Sequence, residues 1–240
     1  GEEGWSAKQE MAKDPLFSSL KDRILAVAKE NWAQEIDSVI LDERQAVDLD
    51  RTYEAPATTN DAMFALMKDR LADLDDLLRR DESPREAWAA ITQERVMRRE
   101  IARELRRAAN GLYHVDQEAV TGEEKETDIR LRSTASDHEA VIELKLAENG
   151  WSARDLRDAI GSQLVERYLV TENRSVGCLL ITLARDRTWK HPDSGARIGL
   201  SELKTLLCEG AERVMDSRGR SVTLAVHILD LRNPLSGGSL

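Results

Sequence analysis

The chain has 240 residues, a third of them charged, and a net charge of −10 with histidine neutral. No stretch approaches the roughly 18–20 apolar residues of a membrane-spanning helix and no basic-then-apolar signal segment opens it, so the expectation is a cytoplasmic protein with no membrane partner. Two cysteines, Cys178 and Cys208, exclude a disulfide framework and a compact zinc motif, and both read as buried thiols.

The charge is uneven. Residues 1–86 hold 21 acidic and 12 basic side chains, leaving 24 and 23 for residues 87–240, so nearly all the acidic excess is N-terminal. Phosphate neutralisation by Lys and Arg supplies most non-specific nucleic-acid affinity, which counts against DNA binding by the first third and leaves the rest open. The glycine at position 1 and the Ser236-Gly-Gly-Ser239 end read either as the limits of an excised fragment or as ends that are not native, with a larger context expected.

The first third is helical in pattern. Leu20, Ile24, Val27 and Trp32 to Ile36 recur near helical spacing, as do Met63, Met67, Leu71, Leu74 and Leu78 after a cap at Asn60. Ser83-Pro84 closes that helix and opens one running from about Arg85 to Ala109, with Met97, Ile101, Leu105 and Ala108 on one stripe, stopped by Asn110-Gly111.

Three short strand-like runs follow: 112–121, 127–132 and 139–147. Ser152 and Asp155 have capping-box spacing and open a helix with Leu156, Ile160 and Leu164 on one face. The apolar run Val176 to Leu183 reads as a strand covered on both sides. A loop around His191 to Gly195, a helix through Leu200, Leu203, Leu207 and Val214, and a last strand from Ser221 to Leu231 complete the chain. The expected domains are a helical segment over 1–84, an α/β domain over 85–232 and a flexible tail over 233–240.

Within this order one group of charged residues stands out. A half-buried strand alternates its side chains, so in Ala140-Val-Ile-Glu-Leu-Lys-Leu146 the residues Ile142, Leu144 and Leu146 share one face while Glu143 and Lys145 share the other. Asp128 on the preceding strand lies beside Glu143 if the two strands pair as a hairpin, with Ile129 and Leu131 turned away. Two acids and a lysine then converge.

That group, Asp128 then fourteen residues then Glu143-Leu-Lys145, on two adjacent strands ahead of a helix, resembles the PD-(D/E)XK nuclease superfamily over roughly residues 85–231. The resemblance implies a restriction-endonuclease-like α/β core: helix, three-strand meander, helix, strand, helix, strand. It also implies a magnesium- or manganese-dependent nuclease cleaving DNA, with Asp128 and Glu143 holding the metal and Lys145 contacting the nucleophilic water or the scissile phosphate. Family members often add a glutamate from the helix before the first strand. Glu100 is the candidate for catalysis and metal, with Glu94 and Glu104 as rivals. Gln163 is the candidate from the helix after the lysine strand, although Tyr168, five residues on, misses the four-residue Gln–Tyr spacing of some exonuclease-like branches.

By the same resemblance, the chain would be an oligomeric effector domain in a larger antiviral defence protein of prokaryotes, working with other domains or subunits. Two alternatives stay open: a catalytically inactive nuclease-like binding or assembly module, and an RNase. The four histidines have no metal-ligand spacing. The arginines between Arg95 and Arg107 alternate with glutamates, as on a solvated ion-paired face, and Trp151 and Trp189 flank loops where they either stack on bases or pack.

Overall fold

The computed structural model describes residues 2–36, 54–117, 129–166, 169, 174–219 and 221–232. The chain divides into two compact units, residues 1–55 and 56–240. In the first, α1 (Glu2–Lys13) and α2 (Lys21–Ile36) are joined by a 3-10 turn, Pro15–Leu20, capped by the Asp14 carboxylate accepting the Leu16 N–H at 2.9 Å. The exposed large apolar side chains among the described residues, Met11, Leu16, Leu20 and Val27, all belong to this unit.

The second unit begins at Pro56, not at residue 85, because α3 (Asn60–Arg79) is part of its core. Met63, Met67, Leu71, Leu74 and Leu78 form the apolar stripe read from the sequence, and they share one buried cluster with Ile142, Leu144 and Leu180 of the sheet. The cap is Thr59, whose Oγ1 accepts the Ala62 N–H at 3.1 Å. Asn60 is thereby freed to meet His138, Oδ1 to Nδ1 at 2.9 Å. Arg85 ties the far end of α3 to the last strand: its Nε and Nη2 donate to the Leu78 carbonyl at 3.1 and 2.7 Å, and Nη1 to the carbonyls of Asp230 and Arg232 at 2.8 and 2.7 Å.

The single helix expected over 85–109 is two, α4 (Arg85–Ala89) and α5 (Glu94–Arg107), separated by an extended Gln93. The reason is steric phase. Trp88 and Met97 are nine residues apart, which on one helix puts them about 180° apart, yet both are buried in the same cluster. Breaking the helix lets both point inward.

The sheet is mixed and five-stranded, in the order β1 (Tyr113–Gln117), β2 (Ile129–Ser133), β3 (Glu139–Leu146), β4 (Val176–Leu183), β7 (Thr223–Asp230). β1, β2 and β3 are antiparallel neighbours, while β3, β4 and β7 run parallel. Between β3 and β4 lies α6 (Ala153–Ala159), which opens on the Ser152–Asp155 capping box and passes into a π-helical turn, Ile160–Val165. A two-stranded hairpin, β5 (Trp189–Lys190) and β6 (Arg197–Ile198), frames the turn around His191, and α7 (Leu200–Ser217) precedes β7.

Two apolar clusters sandwich the sheet. On one face α3, α5, Ile129, Leu131, Ile142, Leu144 and Leu146 pack together; on the other, Val141, Leu179 and Ile181 meet Leu156, Ile160, Leu164, Leu203 and Leu207. Gly177 on β4 admits the second layer closely, since a Cβ there would stand 3.0 Å from Leu164. Cys178 is buried as expected, but Cys208 is exposed, one position past the buried Leu207 on α7. No helix among the described residues is long and apolar enough to cross a membrane. The tail expected over 233–240 lies outside the described residues.

Candidate active site

Strand alternation puts Glu143 and Lys145 on the same face as Val141, against the α6 layer, and buries both: their side chains are 5% and 8% exposed. Neither charge is tolerated there alone, because desolvating an ion costs several kcal/mol (order of magnitude) unless a partner compensates. Each supplies the other's compensation, with Lys145 Nζ 2.6 Å from Glu143 Oε1. The ammonium also lies over the Trp151 ring, 4.7 Å from its centroid, where the negative face of the π system favours a cation.

Trp151 reaches this position through a short return of the chain. β3 ends in a 3-10 turn, Ala147–Asn149, followed by Gly150 at φ +85°, a conformation that costs glycine nothing and a side-chain-bearing residue a good deal. The indole N–H then donates to Glu94 Oε1 at 3.2 Å. The same oxygen takes the Asn149 side-chain amide at 3.2 Å and the Leu146 backbone N–H at 3.4 Å. Arg187 holds the other side of the tryptophan, donating to its carbonyl at 2.9 Å, while Glu148 binds the Ala184 and Arg185 N–H groups at 2.7 and 3.1 Å and so fixes the end of β4 to the end of β3.

Of the three α5 glutamates weighed from the sequence, Glu94 is the one hydrogen-bonded to this end of β3. Glu100, half-buried, pairs with Arg103 one turn along α5, and Glu104, also half-buried, with Arg107 at 2.8 Å. The stripe Met97, Ile101, Leu105, run backwards by one turn from Met97, arrives at Glu94. That phase is the signal that separates Glu94 from its rivals Glu100 and Glu104, and it emerges only once the helix is broken before Glu94.

Asp128 lies outside the described residues; it is bonded to Ile129, whose partner across the ladder is Ile142, the neighbour of Glu143. Ile129 and Leu131 face the α3 layer, opposite to Glu143, as the alternation requires. Gln163 stands half-buried in the π turn, between the buried Ile160 and Leu164. A π turn holds one more residue than an α turn, so spacings read on a regular helix do not carry past Gln163. Tyr168 is also outside the described residues.

Four residues before Glu143 on the same face, Glu139 is shared by three guanidiniums: Arg174 Nε at 2.5 Å, Arg132 Nε at 3.1 Å and Arg130 Nε at 3.7 Å. Arg132 also meets Asp116 at 2.9 Å. The tryptophans weighed as base-stacking platforms are engaged within the protein: Trp189 is buried, with Arg187 over its ring at 5.4 Å, and Trp151 carries Lys145. His191 Nδ1 accepts the Asp193 and Ser194 N–H groups at 3.2 Å each, and His227 Nε2 lies 3.1 Å from Asp75.

Carboxylate oxygen is a hard donor that suits magnesium or manganese, and of the Glu143 carboxylate, Oε1 is taken by Lys145 Nζ. Among the described residues no group of three or more His, Cys, Asp or Glu side chains is arranged to hold a metal; Asp128 is not one of those residues. What the fold and geometry define is an α/β protein with a buried glutamate–lysine pair on the third strand of a mixed sheet. No protein-family model, curated protein or solved structure matches the chain.

Proposed function

We propose that this chain is a divalent-cation-dependent nuclease that hydrolyses phosphodiester bonds in DNA, built on a restriction-endonuclease-like core. The observation that carries the reading is the Glu143–Lys145 pair, 2.6 Å apart and nearly excluded from water, where burying two charges is costly even when they are paired. The element order supports it: helix, three strands, helix, strand, helix and strand follow one another, with a small hairpin added before the last helix.

Asp128 and Glu143 would hold magnesium or manganese, which when bound supplies an acidified water and charge neutralisation at the phosphate. Glu143 presents a carboxylate whose direction is set by Lys145. The Lys145 ammonium donates to a phosphate oxygen or the attacking water and offsets the charge that builds on phosphorus, and it does so more strongly for being out of bulk solvent. The indole of Trp151 lies against the Lys145 ammonium, its centroid 4.7 Å from Nζ.

The rival reading is a nuclease-like module that binds or assembles without chemistry. It is favoured by the direct closure of the ion pair, which already satisfies both charges, and by the acidic balance of −10. Incubation with plasmid DNA and with single-stranded RNA, each with magnesium and repeated with Asp128→Asn and Lys145→Ala, separates the readings. The nuclease reading expects magnesium-dependent loss of duplex DNA that both substitutions abolish. Cleavage of RNA alone makes the chain an RNase, and equal traces from wild type and variants leave the assembly module.

A further inference from the structure

Lys145 carries four rotatable torsions, so its ammonium occupies one place only if something besides a single flexible carboxylate restrains it. Two restraints meet on it, the Glu143 carboxylate at 2.6 Å and the Trp151 ring at 4.7 Å. The ring is itself fixed from outside its own segment. Its N–H is held at 3.2 Å by Glu94, 57 positions earlier in the chain, and the Trp151 main-chain carbonyl at 2.9 Å by Arg187, 36 positions later. Glu94 gathers three N–H donors on one oxygen, from Leu146, Asn149 and Trp151, so it joins the strand that carries Lys145 to the indole beneath Lys145.

We propose that Trp151 and Glu94 are a positioning relay for Lys145: the indole is the platform on which the ammonium rests, and Glu94 is the anchor that sets the plane of the indole. Neither touches the reacting phosphate. Their effect on hydrolysis rests on the nuclease reading, whereas the relay itself is readable without any activity.

The test uses the full chain with 13C-labelled lysine, Lys145 being assigned from the signal lost in Lys145→Arg. The face of an indole shifts the protons of a group above it upfield, so the Lys145 CεH2 signal is expected upfield of the other lysines. Trp151→Leu removes that shift, Trp151→Phe keeps part of it, Glu94→Leu reduces it although the indole is still present, and Glu94→Gln, which keeps an accepting oxygen, preserves it. Thermal melts confirm that each variant is folded; Trp151→Phe and Glu94→Gln are the conservative pair should Trp151→Leu or Glu94→Leu fail to fold. In magnesium-dependent cleavage, Trp151→Leu and Glu94→Leu lower kcat by about tenfold or more with KM within about twofold, and the conservative variants recover it.

A Lys145 signal unmoved by Trp151→Leu overturns the platform. A signal moved by Trp151→Leu but not by Glu94→Leu overturns the anchor. If the signal moves as expected while kcat of an active enzyme does not, the positioning role is overturned. If the signals behave as expected and the wild type cleaves nothing, the relay stands and the nuclease reading falls.

Discussion

Glu94, in the first turn of α5, takes the indole N–H of Trp151 at 3.2 Å and so places a helix glutamate at the carboxyl end of β3. The contact exists because the helix is broken. Had Arg85 to Ala109 run as one rod, Trp88 and Met97 would have faced opposite sides, and Glu94 would be an ordinary mid-helix residue.

The Glu143–Lys145 pair makes a stability prediction independent of function. Removing one member of a buried pair strands the other charge, at a cost of about 3–5 kcal/mol. Lys145→Met or Glu143→Gln alone is therefore expected to lower the urea midpoint sharply, and Glu143→Gln combined with Lys145→Met to recover much of the loss. Additive single effects in the double-mutant cycle would show that the two side chains do not compensate one another.

Gly177 lies where the Leu164 side chain of the π turn approaches β4 closely. A methyl group there meets Leu164 at 3.0 Å, tighter than ordinary van der Waals contact, so Gly177→Ala is expected to destabilise by about 1–3 kcal/mol in chemical denaturation. Leu164→Val in the same chain should relieve part of it; a neutral Gly177→Ala would mean that the layers part easily.

Asp230 links stability to pH. Burial raises its carboxyl pKa, but the hydrogen bonds from the Arg232 side chain and backbone, with the charges of Arg232 and Arg85, outweigh that and hold it below the usual carboxylate value. A carboxyl lowered in the folded state contributes stability above the unfolded pKa of roughly 3.9 and loses it as pH falls through the folded value. Asp230→Asn is expected to be less stable than wild type at pH 7, with the gap narrowing at pH 3. A gap that widens in acid contradicts the pairing.

The two thiols should separate cleanly. Cys178 is fully buried and burial pushes its thiol up to about 12, whereas Cys208 is exposed. A thiol reagent at pH 8 is expected to titrate one cysteine in the folded protein and both in urea. Loss of reactivity in Cys208→Ser identifies the first.

Local chemistry was legible in the sequence wherever one periodicity decided the outcome. The alternation of Ala140 to Leu146 separated Glu143 and Lys145 from Ile142, Leu144 and Leu146; the Ser152–Asp155 spacing gave the capping box; the uninterrupted run from Val176 to Leu183 gave the buried central strand. What was not legible depended on packing between distant segments. The break before Glu94 is enforced by two apolar residues competing for one cluster, the membership of α3 in the α/β unit by its fit onto β3 and β7, and the π turn at Ile160–Val165 by the layers it joins. The sequence offers Glu94 beside Glu100 and Glu104, and only the break before it brings Glu94 to the end of β3.

The most direct test of the central proposal is the single-turnover rate of cleavage of a labelled DNA duplex, with magnesium and with EDTA, by wild type, Asp128→Asn, Glu143→Gln and Lys145→Ala. The account predicts magnesium-dependent strand scission by wild type, abolished by EDTA and reduced by at least about a hundredfold in each variant. Equal rates for wild type and variants, or a wild type inert in magnesium and in manganese, would contradict it.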